Sequence, residues 1–400
     1  MKRILFVINA LDGGGAEKSL VSLLNELEPY QNQFKIDLLL PNKEGLFSDL
    51  VPSFVNQIPV PEALTYMAYG FKYLIKNKKW NLRYTAVKIR WVFKRRKLKS
   101  VSSGVLEQEL WRLWEKHVSG LDSQYDSAIS YLNGYGNYYV IDKVSATKKC
   151  LWIHNEYQKL GYHVEFDRRY YEEADEVITI SDLCKKSFTD VYPELQDKIK
   201  VLENISSGRM IKTMAQQHPQ EDSFSRYHGT RLLSIGRLVE QKNFSLAVRT
   251  AAYMKSHYPE VLFKWFIIGK GPEYASLTEQ IQKENLSDVI ELIGVRKNPY
   301  SYMKQADLIV QTSIFEGKSI VLDEAKILGK TIVATNYPTV YNSIENGATG
   351  LIADMNPESI ADSVVQILSD VDLQSVLEKN LHEFAEGNIK ELEKYLDIMF

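Results

Sequence analysis

The sequence predicts an α/β protein built as two doubly wound parallel sheets, and three observations carry that prediction. Short apolar runs of strand length alternate with longer stretches of helical periodicity. The alternation breaks at residues 204–229, a polar run holding Gly208 and Pro219, and then begins afresh. The length, 400 residues, also exceeds what one core ordinarily serves. Strands separated by helices need crossover connections, and these give parallel sheets. The expected division is a first domain over residues 1–203, a linker over 204–229, a second domain over 230–372, and a helical tail over 373–400.

In the first half, a strand is expected at residues 4–9, followed by the glycine turn Gly13-Gly14-Gly15. A helix then starts at Ala16, with Leu20, Leu23, Leu24 and Leu27 on its apolar face. Further strands are expected at 36–40, 127–132, 150–153, 177–180 and 199–202. The second half repeats the pattern, with strands at 231–235, 262–268, 289–292, 308–310, 331–334 and 350–353. Helices are expected between them at 244–256, 273–284 and 301–305, and after the last strand at 358–369. In the tail, Leu381, Phe384, Leu392, Tyr395, Leu396 and Met399 form an amphipathic face available for packing.

Composition sets outer bounds. At 44 % hydrophobic and 25 % charged, the chain is of the soluble globular kind. A net charge of −2 gives no global bias toward polyanions. Cys150 and Cys184 stand far apart without metal-ligand spacing, as expected in a reducing cytoplasm and not of a zinc site. The basic start and apolar run of the N-terminus are too short for a signal peptide and read as a first buried strand. No run of 18 apolar residues offers a membrane span.

The most informative stretch is 311–325, QTSIFEGKSIVLDEA. A buried strand leads into a polar loop with Glu316 and Gly317. Ser319 then stands at an N-cap position, with Ile320, Val321, Ala325 and Leu328 at helical spacing. Ligands of open α/β sheets bind where strands end. Glu316 in the loop and Glu324 one turn into the helix suit a ligand with both hydroxyls and phosphates. Hydroxyls donate to the carboxylates, and phosphates accept from helix amides. The plainer alternative is two helix-start acids favoured by the dipole.

Three other stretches sit at strand ends. The turn carrying Gly14 and Gly15 allows close backbone approach to an anion, or is simply a tight turn. It matches neither G-x-G-x-x-G nor a P-loop, since Lys18 occupies the last glycine position. His154 follows a strand of the same half and is either structural or a ligand contact. After the first strand of the second half, Arg237 and Lys242 are two cations five residues apart before a helix. An arginine fork and a mobile ammonium there make a diphosphate clamp, or two surface cations. Gly269-Lys270-Gly271 is a further glycine turn.

In this order the motifs resemble the retaining glycosyltransferases of family four, which have the two-domain GT-B fold. The matching pieces are Gly14-Gly15-Ala16-Glu17-Lys18, His154-Asn155, Gly236-Arg237-Leu238 with Lys242-Asn243, and Gly269-Lys270-Gly271-Pro272-Glu273. After these come Gly294-Val295-Arg296, then Ser313, Glu316 and Gly317 with Glu324, and finally Asn346 to Leu351. The resemblance implies two Rossmann-like domains facing each other across a cleft, with the last helix packing back on the first. The first domain would take the acceptor and the second a nucleotide-diphosphate sugar, most often a UDP-sugar. It assigns the diphosphate to Arg237 and Lys242, with Gly14 and Gly15 approaching it. Glu324 would hold the ribose. Glu316, Gly317, Lys318, Ser319 and Ile320 would hold the sugar, and His154 and Glu316 would act at the reacting carbon.

No resident cofactor or metal is expected, because no Asp-x-Asp pair stands at a strand end of the second half. The implied reaction is a front-face, retaining hexosyl transfer. One departure bears on the donor: 336–340 reads Asn-Tyr-Pro-Thr-Val where relatives carry a Gly-Gly loop. A nucleotide-sugar epimerase and a non-catalytic partner subunit are the competing readings of the same fold.

Residues 71–99, from Phe71 to Lys99, hold twelve Lys and Arg and no acid, with Trp80, Tyr84, Trp91 and Phe93 interleaved. The profile fits an anionic membrane surface at the inner face of the cytoplasmic membrane. Single-stranded nucleic acid and a solvated helix with its aromatics in the core are the rivals. The membrane reading suits a lipid-linked saccharide acceptor, and nucleic acid is not expected as a partner.

Overall fold

The computed structural model describes every residue except Gly13, Lys79, Lys99, Ser100, Gly317 and Phe400. The chain forms two compact units: Met1–Ile205 with Lys390–Phe400, and Ser206–Ile389.

The first unit holds seven strands: β1 (Lys2–Val7), β2 (Phe34–Leu39), β3 (Asn56–Gln57), β4 (Gln124–Ser130), β5 (Ser145–Ile153), β6 (Glu176–Thr179) and β7 (Ile199–Val201). They lie in the order β3-β2-β1-β4-β5-β6-β7, all parallel. Both faces are covered, so the central strands read as unbroken apolar runs; Ile4, Leu5 and Phe6 are fully buried. β3 had no expectation in the sequence. It has two exposed residues at the sheet edge and no apolar signal.

The second unit holds β8 (Thr230–Ile235), β9 (Phe263–Ile268), β10 (Ile290–Gly294), β11 (Leu308–Gln311), β12 (Ile332–Thr335) and β13 (Leu351–Ala353). Their order is β10-β9-β8-β11-β12-β13, again all parallel. The strand order reverses between β1 and β4 in one sheet and between β8 and β11 in the other. At these switch points adjacent loops leave in opposite directions and open a crevice.

Two boundaries differ from the sequence expectation. The stretch 204–229 is not an open linker: helices Gly208–Ala215 and Ser223–Arg226 fold onto the second unit. Phe224 is fully buried there. Arg296 donates to Asp222 at 2.8 Å, and Tyr302 does so at 2.9 Å. Burial alone would raise the Asp222 carboxyl, but these bonds hold it below its ordinary value.

The tail divides later than residue 373. Helix Val371–Leu381 stays with the second unit, where Leu377 is in the core. Only the chain from Lys390 joins the first unit. There Tyr395 stacks on Trp152 at 5.8 Å and donates to the Glu203 carbonyl, while Ser127 donates to the Met399 carbonyl at 2.9 Å.

Candidate functional site

In the second unit, the β8 and β11 loops meet at the switch point. The β8 loop is fixed by backbone bonds from Gly236 to the Ile268 carbonyl and from Leu238 to the Lys270 carbonyl, both 3.0 Å. Leu238 is fully buried, which leaves Arg237 exposed beside it. Arg237 makes no ion pair among the described residues. The glycines of the 269–271 turn are explained by packing: a Cβ on Gly269 would lie 1.9 Å from the Gly236 carbonyl oxygen. A Cβ on Gly271 would lie 2.2 Å from that of Leu238.

A 3₁₀ turn, Glu240–Lys242, follows, and Asn243 turns the chain with φ 50° into helix Phe244–His257. The Ile314 amide donates to the Gln241 carbonyl at 2.8 Å, and the Thr312 hydroxyl to the Lys242 carbonyl at 2.9 Å. These bonds tie the two loops together.

Lys242 and Glu316, separate contacts in the sequence reading, are bonded to each other. Lys242 Nζ stands 2.5 Å from Glu316 Oε1. The same oxygen accepts from Ser313 Oγ at 2.7 Å and from Gln311 Nε2 at 3.2 Å. Oε2 accepts from Gln241 Nε2 at 3.3 Å. Only 9 % of the Glu316 side chain and 16 % of Lys242 are exposed, so each needs the other. Gln311 also donates to Ser319 Oγ at 2.8 Å and accepts from the Tyr337 hydroxyl at 3.2 Å.

Ser319 is at the N-cap of helix Ile320–Ile327, as expected, but its hydroxyl does not cap the helix. It is turned to Gln311 instead. Ile320 is half-buried, and Lys318 lies 3.8 Å from Asp323. Glu324 is 1 % exposed and accepts from the Tyr300 hydroxyl at 2.8 Å. Gly317 lies outside the described residues.

Gln311, Gln241 and Tyr337 were not singled out from sequence. Their residue types carry no motif, and only the pleat and loop pairing bring them to Glu316. Tyr337 belongs to the atypical 336–340 stretch. It is buried, and burial followed by the nearby Glu316 and Asp323 charges raises its hydroxyl pKa, keeping it a donor.

In the first unit, Gly14 and Gly15 follow the β1 loop and are exposed; Gly14 is the N-cap of helix Gly15–Glu26. The Gly14 amide donates to the Glu17 carboxylate. Gly13 lies outside the described residues. His154 follows β5 and is 7 % exposed. Its Nε2 is 2.8 Å from the Tyr131 carbonyl at the end of β4, which makes Nε2 the protonated nitrogen. Burial pushes its pKa down to about 4, so the imidazole is neutral at pH 7. It is a fixed neutral group at the switch-point edge of the first sheet.

Among the described residues, no three His, Cys, Asp or Glu side chains are grouped to hold a metal ion. No helix among them is long and apolar enough to cross a membrane.

Two parallel-sheet, Rossmann-like units, the first completed by the returning C-terminal helix, define the GT-B fold class. Residues 220–384 match the family model described as Glycosyl transferases group 1. The chain is similar in fold to a variant of S. aureus TarM solved with Fondaparinux, alpha-GlcNAc-glycerol and UDP. That likeness has a TM-score of 0.65 at 16 % identity and covers 100 % of both chains.

In sequence, the chain is 27 % identical over 202 residues to an uncharacterized glycosyltransferase of Methanocaldococcus jannaschii, covering 48 % of this chain and 49 % of that protein. It is 32 % identical over 123 residues to a Campylobacter jejuni N-acetylgalactosaminyltransferase named for a diphospho-undecaprenol substrate, covering 31 % of this chain and 30 % of that one. The chain thus spans about half the length, or less, of these curated relatives.

Proposed function

We propose that this protein is a retaining hexosyltransferase of family four. It would move a sugar from a nucleotide-diphosphate sugar, a UDP-sugar, to a lipid-linked saccharide acceptor in capsule, exopolysaccharide or cell-wall glycan synthesis. The observation that carries the reading is the Lys242–Glu316 pair, set with Gln311 and Ser319 at the switch point of the second sheet. Support comes from the family match over 220–384, the UDP bound to the TarM variant, and the diphospho-undecaprenol in the Campylobacter relative's name.

The chemistry follows from the groups present. An ammonium has three donors, and Lys242 uses one on Glu316, leaving two for phosphate oxygens. Arg237 is exposed and adds a second cation. Together they offset the charge that grows on the departing diphosphate, in place of a resident metal. Glu316 accepts from hydroxyls of the transferred sugar, beside Gly317, Lys318, Ser319 and Ile320.

Glu324 accepts from the ribose. Since it is 1 % exposed, donor binding must uncover this carboxylate before the ribose can reach it. As the bond from the anomeric carbon to phosphate breaks, the acceptor oxygen bonds that carbon on the same face, and its proton passes to a phosphate oxygen. The first unit takes the acceptor; His154 acts at the reacting carbon, and the Gly14–Gly15 turn contacts the donor diphosphate. The lipid-linked acceptor seats the protein at the inner face of the cytoplasmic membrane.

A thermal-shift series with UDP, GDP, ADP and their sugar conjugates tests the reading. A ligand at 100 times its Kd stabilises the folded state by about 2.7 kcal/mol. UDP and one UDP-sugar should raise the melting point. No shift with any nucleotide diphosphate would overturn the reading.

A further inference from the structure

The basic segment of the first unit forms helix Leu82–Lys97, preceded by the short helix Phe71–Lys76. Its aromatics divide between two faces. Val87 is buried in the core, and Tyr84 packs against it. On the opposite face Leu82, Ala86, Ile89 and Phe93 are exposed at spacings of four, three and four, a single stripe down the helix. Leu82 is 88 % exposed, Phe93 59 % and Ile89 44 %, with Trp80 at 65 % just ahead of the helix. An outward stripe of this size, aligned with the helix axis, is not the scattered exposure of an ordinary surface.

Cations border the stripe on both sides. Arg83, Arg90 and Lys97 recur every seven residues along one flank, and Arg96 lies on the other. Lys94 pairs with Glu109, and Arg83 donates to His117 at 3.1 Å. Arg90, Arg95, Arg96 and Lys97 are exposed and form no ion pair among the described residues. Beside the helix opens a groove of about 500 Å³ lined by Phe71, Lys88, Trp91, Arg95 and Arg96. Lys79 and Lys99 of the segment lie outside the described residues.

We infer that helix Leu82–Lys97 docks the first unit on an anionic lipid surface. Leu82, Ile89 and Phe93 enter the headgroup boundary, and the flanking arginines and lysines meet lipid phosphates. Apolar side chains outermost with cations at their shoulders are what an interfacial helix needs. The guanidinium groups reach phosphate while their stems lie along the apolar zone. The stripe is led by aliphatic side chains, whereas single-stranded nucleic acid wants successive aromatic stacking platforms; the groove with Phe71 and Trp91 lies beside the stripe and is not the face proposed to dock. A second copy fits poorly, because an isologous contact would set these cations against themselves. The inference rests on the proposed lipid-linked acceptor for its purpose, but vesicle binding needs neither donor nor acceptor.

The test is co-sedimentation of the full chain with vesicles at physiological salt. One set is phosphatidylcholine alone, and the other is one-third phosphatidylglycerol. Wild type should bind the anionic set and not the neutral one. The stripe variant Leu82→Ser, Ile89→Ser, Phe93→Ser changes only exposed positions and should lose binding. The variant Arg90→Gln, Arg95→Gln, Arg96→Gln, Lys97→Gln should lose about fivefold per cation removed. Both variants should keep the wild-type melting point and its shift with UDP, which separates failed docking from failed donor binding. Equal binding to neutral vesicles, or no binding to either set, would overturn the inference. So would a stripe variant that binds like wild type while the cation variant also loses a single-stranded oligonucleotide.

Discussion

The two sheet edges are built on the same plan and furnished differently. At the β8/β11 switch point, a lysine and a glutamate are paired and braced by Gln241, Gln311 and Ser313. At the β1/β4 switch point, the adjoining β5 end offers a buried neutral imidazole, bonded to a carbonyl, and the helix nearby starts on glycines. One edge has charge to meet charge. The other has a neutral imidazole, whose one N–H is held by a carbonyl, and close backbone, which suit uncharged hydroxyl groups. The contrast is the physical ground on which we propose that the second unit takes the phosphate-bearing ligand and the first a saccharide.

The sharpest way to break this contrast is to remove one member of the charged pair. Lys242→Ala leaves Glu316 with hydrogen bonds but no cation. Glu316→Gln leaves Lys242 facing a neutral amide. Each should lower sugar transfer by about 10²–10³-fold, the usual cost of losing one group that stabilises developing charge. The double variant should fall little further than either single one, because the two act as a unit. A loss in the double variant equal to the product of the two single losses would mean that the side chains act independently despite their bond.

That pairing marks the limit of what sequence shows. All six strands of the second unit follow from their apolar runs, since burial on both faces leaves an unmistakable pattern. Glu316, Lys242 and Arg237 stand at strand ends, where motif and position agree. The bond between Lys242 and Glu316 spans 74 residues, and no local periodicity encodes it. Gln311 and Tyr337 were missed for the same reason: a polar residue ending a strand is ordinary until its neighbours are known. The segment 204–229 misled because its polar, proline-bearing composition resembles a linker, while Phe224 and the Asp222–Arg296 bond anchor it.

On the first edge the expected effect is one of stability and pH. His154 has a folded pKa of about 4 against an ordinary value of 6.5. Its folded pKa is depressed, so the unfolded chain takes up the proton first as pH falls. Stability present above pH 6.5 is therefore lost between there and pH 4, by about 3 kcal/mol. His154→Gln keeps a donor for the Tyr131 carbonyl and removes the titration. Urea midpoints at neutral and acid pH should fall more steeply for wild type than for the variant. Parallel slopes would show that the imidazole titrates alike in both states and does not mark a dry edge.

The smallest effect sought concerns Tyr337, which donates to Gln311, itself bonded to Glu316. Tyr337→Phe fills the same buried space and deletes one hydrogen bond, at a cost of about 1 kcal/mol. If Tyr337 merely packs, transfer should be unchanged apart from that stability. If it orients Glu316 through Gln311, kcat should drop a few-fold while KM for the donor stays near wild type. The drop should be uniform across neutral and alkaline pH, because burial keeps the tyrosine hydroxyl protonated. Gln311→Leu severs all three side-chain bonds of Gln311, to Glu316, Ser319 and Tyr337, and should cost more than Tyr337→Phe. The reverse order would place Tyr337 in direct contact with the donor and move the edge of the site into the 336–340 stretch.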